Sequence, residues 1–434
     1  MNKLFYLLTI FFLISGCSFN KNSKFWNKSE KIQSEKAIKF QEVFPTEEAL
    51  KKEFNSSLQI KLDSQQKGNS LLNEQLNNYG KLNFNGNLDK SSSYKFSKID
   101  NFIRYQPEIS FSKNDLIFFN NKGSILKFSK DSKLIWKKNY YSKSEKKLKP
   151  ILQFANNNKF LIVADNIAKY YMLNIENGNL VWSKNNLAPF NSQIKIFNDK
   201  FFIIDLSNTL RCFSLKNGKE LWNIKTENSL IRSQKKLSMV IVDKIIYFNN
   251  SVGDISAVDI DKGELIWQLP TQSSLIYESA FSLQTSDIIS DKKDLFFSNN
   301  KNQFFSIDLK TGSFNWKNKI NSNLRSSIIG NFLVSITLEG YLVLTEKKSG
   351  NIIRVTDVFD SFKIKDRAKI KPTGFVVGLE NIYLSTSNGR LLVINISSGK
   401  TILIKKIYNN KISKPFIQNE NLFLIKNNGI IRLN

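Results

Sequence analysis

Beyond about residue 94 the chain alternates short apolar runs with clusters of Asn, Asp, Gly, Ser and Lys. Runs of this length bounded by such residues read as β-strands joined by tight turns. Residues 237–269 show the unit. A first strand is expected at 237–242 and a second at 245–248. The stretch 249–253, rich in residues that tolerate positive φ, turns the chain. A third strand follows at 255–260, Asp261-Lys262-Gly263 makes another turn, and 264–269 completes four antiparallel strands. Such a sheet cannot bury both faces alone, so it must stack on neighbours of its own kind.

Those neighbours are visible as a repeat. Five segments align without gaps: Asp131-Ser132-Lys133-Leu134-Ile135-Trp136, Asn177-Gly178-Asn179-Leu180-Val181-Trp182, Asn217-Gly218-Lys219-Glu220-Leu221-Trp222, Lys262-Gly263-Glu264-Leu265-Ile266-Trp267 and Thr311-Gly312-Ser313-Phe314-Asn315-Trp316. Two more copies keep the glycine and lose the aromatic, with Gly350 followed by Arg354 and Gly399 by Leu403. The glycine suits a left-handed turn. Four residues later, Trp136, Trp182, Trp222, Trp267 and Trp316 can lie against the adjoining sheet as blade-packing residues. Third strands fall near Ile125, Tyr171, Leu210, Ile255, Phe304, Leu342, Leu392 and Ile430. Their spacing of about 43 residues is that of a four-stranded propeller blade.

The expected fold is therefore all-β, an eight-bladed β-propeller over 94–434. The last unit stops at Asn434 after its third strand, and Tyr94-Lys95-Phe96-Ser97-Lys98-Ile99 is left unassigned. This run is expected to supply the missing strand and close the ring, with Phe96 standing where the tryptophans stand. Closure removes the exposed edges of an open sheet. An open solenoid of the same blades is the alternative.

The N-terminus has another texture. Lys3 precedes an apolar run over 4–14, shorter than the roughly 20 residues that cross a bilayer and suited to a secretory signal. It ends in Ile14-Ser15-Gly16-Cys17, which resembles the lipobox of bacterial lipoproteins. Residues 1–16 then form the signal peptide, Cys17 accepts the lipid (diacylglycerol on the thiol, with palmitate among its acyl chains), and 17–93 form a lipidated tether. Ser18, in place of an aspartate, fits sorting to the outer membrane. One helix is expected within 45–62, capped by Thr46, with Glu47 and Glu48 in its first turn and Leu50, Phe54 and Leu58 on one face.

Composition narrows the chemistry. Formal net charge is +27, which can signal nucleic acid. Lysine is spread along the whole chain and arginine, the better phosphate fork, is scarce, so a solvated lysine surface is expected and no nucleic-acid partner. The chain has no histidine, which removes the usual neutral-pH general base and the commonest transition-metal ligand. No metal, cofactor or catalytic site is expected. Of two cysteines, Cys17 is reserved for lipid and Cys212 reads as a small buried hydrophobe.

The stretches from Ala257-Val258-Asp259 to Trp267 and from Phe305-Ser306-Ile307-Asp308 to Trp316 resemble the quinoprotein-type propeller repeat, with its A-x-D-x-x-x-G-x-x-x-W pattern. Together with the lipobox and the length, the chain resembles the BamB-like propeller lipoproteins of the outer-membrane β-barrel assembly machinery. The resemblance implies a non-catalytic scaffold, anchored by lipid on the periplasmic face of the outer membrane. It further implies a monomeric propeller within a complex, docking the POTRA domains of the barrel-inserting subunit. One family contact loop carries a Leu/Arg cluster after the outer-strand tryptophan of the third blade; here Trp222 is followed by Ser229-Leu230-Ile231-Arg232. An apolar pair beside an arginine makes a docking anchor, although Leu230 and Ile231 also suit the start of an inner strand. The next inter-blade loop is acidic in the family, and 282–287 here keeps only Asp287 of that character. Two alternatives remain: an envelope propeller that binds a glycan or other ligand, and a quinone-dependent periplasmic dehydrogenase. Asp259 and Asp308 lie beside turns, where holding hairpin N–H groups is their simpler role.

Overall fold

The computed structural model describes residues 50, 52–62, 66–67, 80–99, 107–226, 235–272 and 282–434. Residues 48–434 form one compact unit. Eight antiparallel four-stranded sheets succeed one another along it. Seven are built from consecutive chain and span 110–138, 152–185, 195–225, 239–269, 289–318, 327–357 and 372–406, here blades 1 to 7. Blade 8 takes three strands from the C-terminus, Phe416–Gln418, Asn421–Lys426 and Gly429–Leu433, and its outer strand from the other end of the chain, Lys90–Lys95. The fold is an eight-bladed β-propeller, and every expected third strand is present.

The closing strand lies slightly earlier than expected. Tyr94 pairs with Ile430 and Lys95 with Gly429, and Asp89 and Asn434 exchange backbone hydrogen bonds of 3.1 Å. An outermost strand needs only one buried side chain to hold its register, so Lys90-Ser91-Ser92-Ser93 serves although it is polar, and a search for apolar runs passes over it. Phe96 consequently does not take the tryptophan place. It follows the strand and packs on Phe118 at 4.8 Å between centroids. Tyr94 makes the seam contact: buried, edge-on to Phe128 at 5.6 Å, its hydroxyl donates to the Lys130 carbonyl at 3.3 Å.

The core follows the seams. One apolar cluster joins blades 2 and 3 (Tyr170, Phe190, Phe201, Phe213), another blades 4 and 5 (Tyr247, Leu295, Phe297, Phe305), and others fill the remaining seams. A chain of this length thus divides its burial among interfaces instead of enlarging one core.

The helix expected within 45–62 is not formed over the described residues 52–62. Phe54 instead pairs antiparallel with Val355, their N–H groups donating at 3.1 and 2.8 Å. Ile60 donates to the Ser397 carbonyl at 3.1 Å. Ile60 and Leu62 are buried, while Phe54 and Leu58 face solvent, so the proposed common face does not exist. The free edge of blade 6 offers backbone partners and an apolar crevice, and this tertiary reward exceeds a weak helical preference. Residues 80–89 also lie on the propeller, with Leu82, Phe84 and Leu88 buried against Tyr383, Leu391 and Leu422 at the seam of blades 7 and 8.

Candidate functional site

Two features can carry function in a propeller: the seams that fix the ring, and the surface where inter-blade connections meet its axis. At five seams a tryptophan covers the glycine of the next blade's outer hairpin: Trp136 over Gly178, Trp182 over Gly218, Trp222 over Gly263, Trp267 over Gly312 and Trp316 over Gly350. Each indole N–H also donates to a carbonyl three residues ahead of that glycine, those of Ile175, Leu215, Ile260, Leu309 and Lys347, at 2.9–3.3 Å. Gly218 shows why glycine is required there. Its φ is +65°, and a β-carbon would meet Trp182 Cζ3 at 2.7 Å. At the next seam Arg354 replaces the indole and donates to the carbonyls of Ile396 (3.0 Å), Ser397 and Leu58 (2.9 Å).

The axis carries a different chemistry. Sheet register places Glu108, Gln193, Asp287, Arg325 and Lys414 at one equivalent position. Each stands two residues before the inner-strand residue that pairs with Ile117, Phe202, Phe296, Val334 or Phe423. From this layer side chains reach across the ring. Glu108 of blade 1 accepts Lys414 Nζ of blade 8 at 2.7 Å on one oxygen and Lys236 Nζ of blade 4 at 3.1 Å on the other. Gln193 Nε2 donates to Asp287 at 3.2 Å, and Lys235 Nζ to the Asn323 carbonyl at 2.5 Å. Blades far apart around the ring are thereby tied at its centre.

The electrostatics are those of an enclosed, cation-rich site. Burial acts to raise the Glu108 carboxyl, but the fields of Lys236, Lys414 and Arg325 hold it well below the ordinary carboxylate value. Lys195, only 5% exposed, is pushed down to about 7 by burial and by repulsion from Arg325 and Lys236, against the opposing pull of Glu108 and Asp287. Burial likewise lowers Lys235 to about 8. Desolvation penalises an ammonium unless counter-charge is close.

Of the residues singled out from sequence, Asp287 belongs to this axial group. Leu230, Ile231 and Arg232 lie outside the described residues, as does Cys17. Asp259 and Asp308 hold turns: Asp259 Oδ1 accepts from the N–H groups of Asp261 (2.8 Å) and Lys262 (2.7 Å), and Asp308 Oδ1 from those of Lys310 (3.0 Å) and Thr311 (2.8 Å). Cys212 is fully buried, and burial pushes its thiol up to about 12, far from the range of a nucleophile. Among the described residues no group of three or more His, Cys, Asp or Glu is placed to hold a metal ion. The axial group was missed because the repeat is marked by its outer strand. Its own signal, a polar residue two positions before five of the eight inner strands, emerges only when the blades are aligned on that strand.

Residues 121–356 match the family described as outer membrane protein assembly factor BamB. A curated relative of that description from Moranella endobia is 21% identical over 277 residues, covering 62% of this chain and 68% of the relative. The crystal structure of BamB from Moraxella catarrhalis superposes with a TM-score of 0.63 at 14% identity, over 80% of this chain and 99% of that one. The quinohemoprotein alcohol dehydrogenase of Comamonas testosteroni superposes with a TM-score of 0.62 at 9% identity, over 82% of this chain and 78% of that one. At such identities the superpositions speak for the fold alone.

Proposed function

This chain belongs to the BamB family of outer-membrane protein assembly factors, and from that premise we propose that it is a non-catalytic scaffold lipoprotein of the β-barrel assembly machinery. In this reading Cys17 carries the lipid, the propeller faces the periplasm from the outer membrane, and its loops dock the POTRA domains of the barrel-inserting subunit. The observation that carries the proposal is the family match itself, which runs through the blades from the first to the sixth. A propeller whose blades are locked by indole-on-glycine seams is a rigid mount for loops, which is what a scaffold requires. The docking residues proposed are Leu230, Ile231, Arg232 and Asp287. An acidic group at Asp287 that is already tied to Gln193 is better suited to orienting the mouth of the ring than to an exposed contact, so the apolar pair and Arg232 carry most of the docking.

Co-purification of the barrel-inserting subunit with the full chain tests this. Recovery is expected with the unsubstituted protein and a clear loss with Leu230→Ala/Arg232→Ala, since truncating interface anchors typically costs about 2 kcal/mol or more each. Equal recovery with the double variant would remove these residues from the interface, and no recovery with the unsubstituted chain would remove the partner. Labelled palmitate incorporated into the unsubstituted chain and absent from Cys17→Ala tests the anchor.

A further inference from the structure

We propose that the face of the ring carrying the inter-blade connections rests on an anionic lipid surface through three aliphatic tips, Leu148, Leu187 and Ile364. The inference goes beyond the docking reading and does not depend on it. Among the described residues these are the most exposed large apolar side chains, at 62%, 98% and 85%. A single exposed leucine is ordinary, but the placing of these three is not. Leu148 lies in the connection between blades 1 and 2, Leu187 in that between blades 2 and 3, and Ile364 in that between blades 6 and 7. Four strands of alternating direction return the chain to the face it started from, so the inter-blade connections share one face of the ring.

Each tip is held by a braced turn. Leu148 ends the short helix Lys143–Lys147, where Ser142 and Glu145 form a capping box. Beside Leu187, the Asn186 N–H donates to the Ala168 carbonyl at 2.7 Å and its side-chain amide to the Ala188 carbonyl at 2.8 Å. In the turn that carries Ile364, Arg367 donates to Asp357 at 2.5 Å and to the carbonyls of Phe362 and Asp360 at 3.0 and 2.7 Å. Folding gains nothing from an aliphatic group left in water. Its use lies in a contact outside the chain.

Charge points to the occupant. Lys143, Lys146 and Lys147 precede Leu148, and Lys363, Lys365 and Lys369 flank Ile364. None of the six forms an ion pair among the described residues. Of the acidic residues nearby, Glu145 is taken by Lys169 at 3.1 Å and Asp357 by Arg367, which leaves Asp360 and Asp366. Lysines around aliphatic tips suit lipid headgroups: apolar groups enter the interface, and ammonium groups reach the phosphates on flexible stems. Leu187 and Ile364 are four blades apart in a ring of eight, on opposite sides of the axis. A flat bilayer meets both at once, whereas a single extended peptide would have to cross the mouth of the ring.

Vesicle binding by the full chain provides the test, with Cys17→Ala present throughout so that the outcome does not depend on lipidation. Sedimentation with vesicles of phosphatidylglycerol and phosphatidylethanolamine should recover the protein. Leu148→Ser/Leu187→Ser/Ile364→Ser should weaken this binding about tenfold or more, and any contribution of the apolar run 4–14 is common to both proteins. Added salt, or phosphatidylcholine in place of phosphatidylglycerol, should also weaken it. Because the three side chains are exposed, the triple variant should unfold at the parent's temperature. A second readout places a fluorophore on Leu187→Cys or on Lys216→Cys, the latter in an exposed hairpin on the opposite face of blade 3; Cys212 is fully buried. Brominated lipid should quench the first label and not the second. Equal vesicle binding by parent and triple variant, or equal quenching of the two labels, overturns the proposal. Loss of the co-purifying barrel-inserting subunit in the triple variant, with vesicle binding unchanged, overturns it in favour of a protein partner.

Discussion

Arg354 lies over Gly399 in the place where, at each of the five preceding tryptophan seams, an indole lies over the corresponding glycine. The substitution changes what the seam can hold. An indole has one donor and ends its hydrogen bonding at one carbonyl, whereas a guanidinium has five. Arg354 uses the surplus to reach Leu58 as well as Ile396 and Ser397, and so fastens an N-terminal segment to the edge of blade 6. The neighbouring bridge between Phe54 and Val355 continues the same attachment.

Arg354→Ala should therefore destabilise the propeller by about 3 kcal/mol, within the range for removing a buried, hydrogen-bonded charged side chain. Hydrogen exchange should show residues 54–60 losing protection beyond that of the blade. Arg354→Trp restores the common seam contact but not the link to Leu58. It is expected to keep blade stability near the starting value while the N-terminal segment is released. Unchanged protection in both variants would show that the segment is held by other contacts.

Trp182 stacks on Phe201 at 15° between ring planes and donates to Leu215 across the seam. Trp182→Ala should cost about 3–5 kcal/mol in denaturant unfolding, the usual range for deleting a large packed aromatic. Gly218→Ala should cost more than about 1 kcal/mol, because its positive φ and the indole above leave no room for a methyl group. If Gly218→Ala unfolds at the same denaturant concentration as the parent, the seam is looser than described.

Ring closure is open to a direct test. Tyr94→Phe removes only the hydroxyl that reaches Lys130 and should cost about 1 kcal/mol. Deleting residues 80–95 exposes the edge of the strand Gly429–Leu433 and should produce concentration-dependent self-association in analytical ultracentrifugation. A monomeric deletion variant of unchanged stability would contradict closure by this strand.

Stability should rise with pH above neutrality. Lys195 is lowered in the folded state to about 7 and Lys235 to about 8, whereas both titrate near about 10.4 when unfolded. Between these values the unfolded chain binds more protons than the folded one, so the free energy of unfolding increases with pH. Below about 7 both carry charge in either state, and the full penalty of burying Lys195 is present. Glu108 gives a slope of the same sign at the acid end: its lowered carboxyl contributes stability above the ordinary carboxylate range, which is lost as pH falls through the folded value. Thermal unfolding should show the alkaline rise, and Lys195→Met should flatten it. An unaltered profile in that variant would place the titration elsewhere.

The repeat made the blades legible because each carries a turn glycine and an indole at fixed spacing, and strands so marked can be counted without knowing their partners. The closing strand was harder. Lys90-Ser91-Ser92-Ser93 has no apolar alternation, and its register is set by Gly429–Leu433, which is more than 300 residues away in sequence. Residues 52–62 read as helical because local spacing favoured it, and only the vacant edge of blade 6 shows why they are not. The axial charges were marked only by the place of Glu108 and Lys414 two residues before an inner strand, and Glu108, Lys236 and Lys414 are neighbours only once the ring is closed.

By itself the sequence determined the fold class, the number of blades and the residues that lock most seams, because all of these rest on interactions within one repeat or between consecutive ones. Tertiary structure decided which polar segment closes the ring, that Arg354 captures the chain near Leu58, and that cations from four blades share one axis. These depend on contacts between distant parts of the chain, where backbone pairing and Coulomb forces act between residues that no local pattern relates.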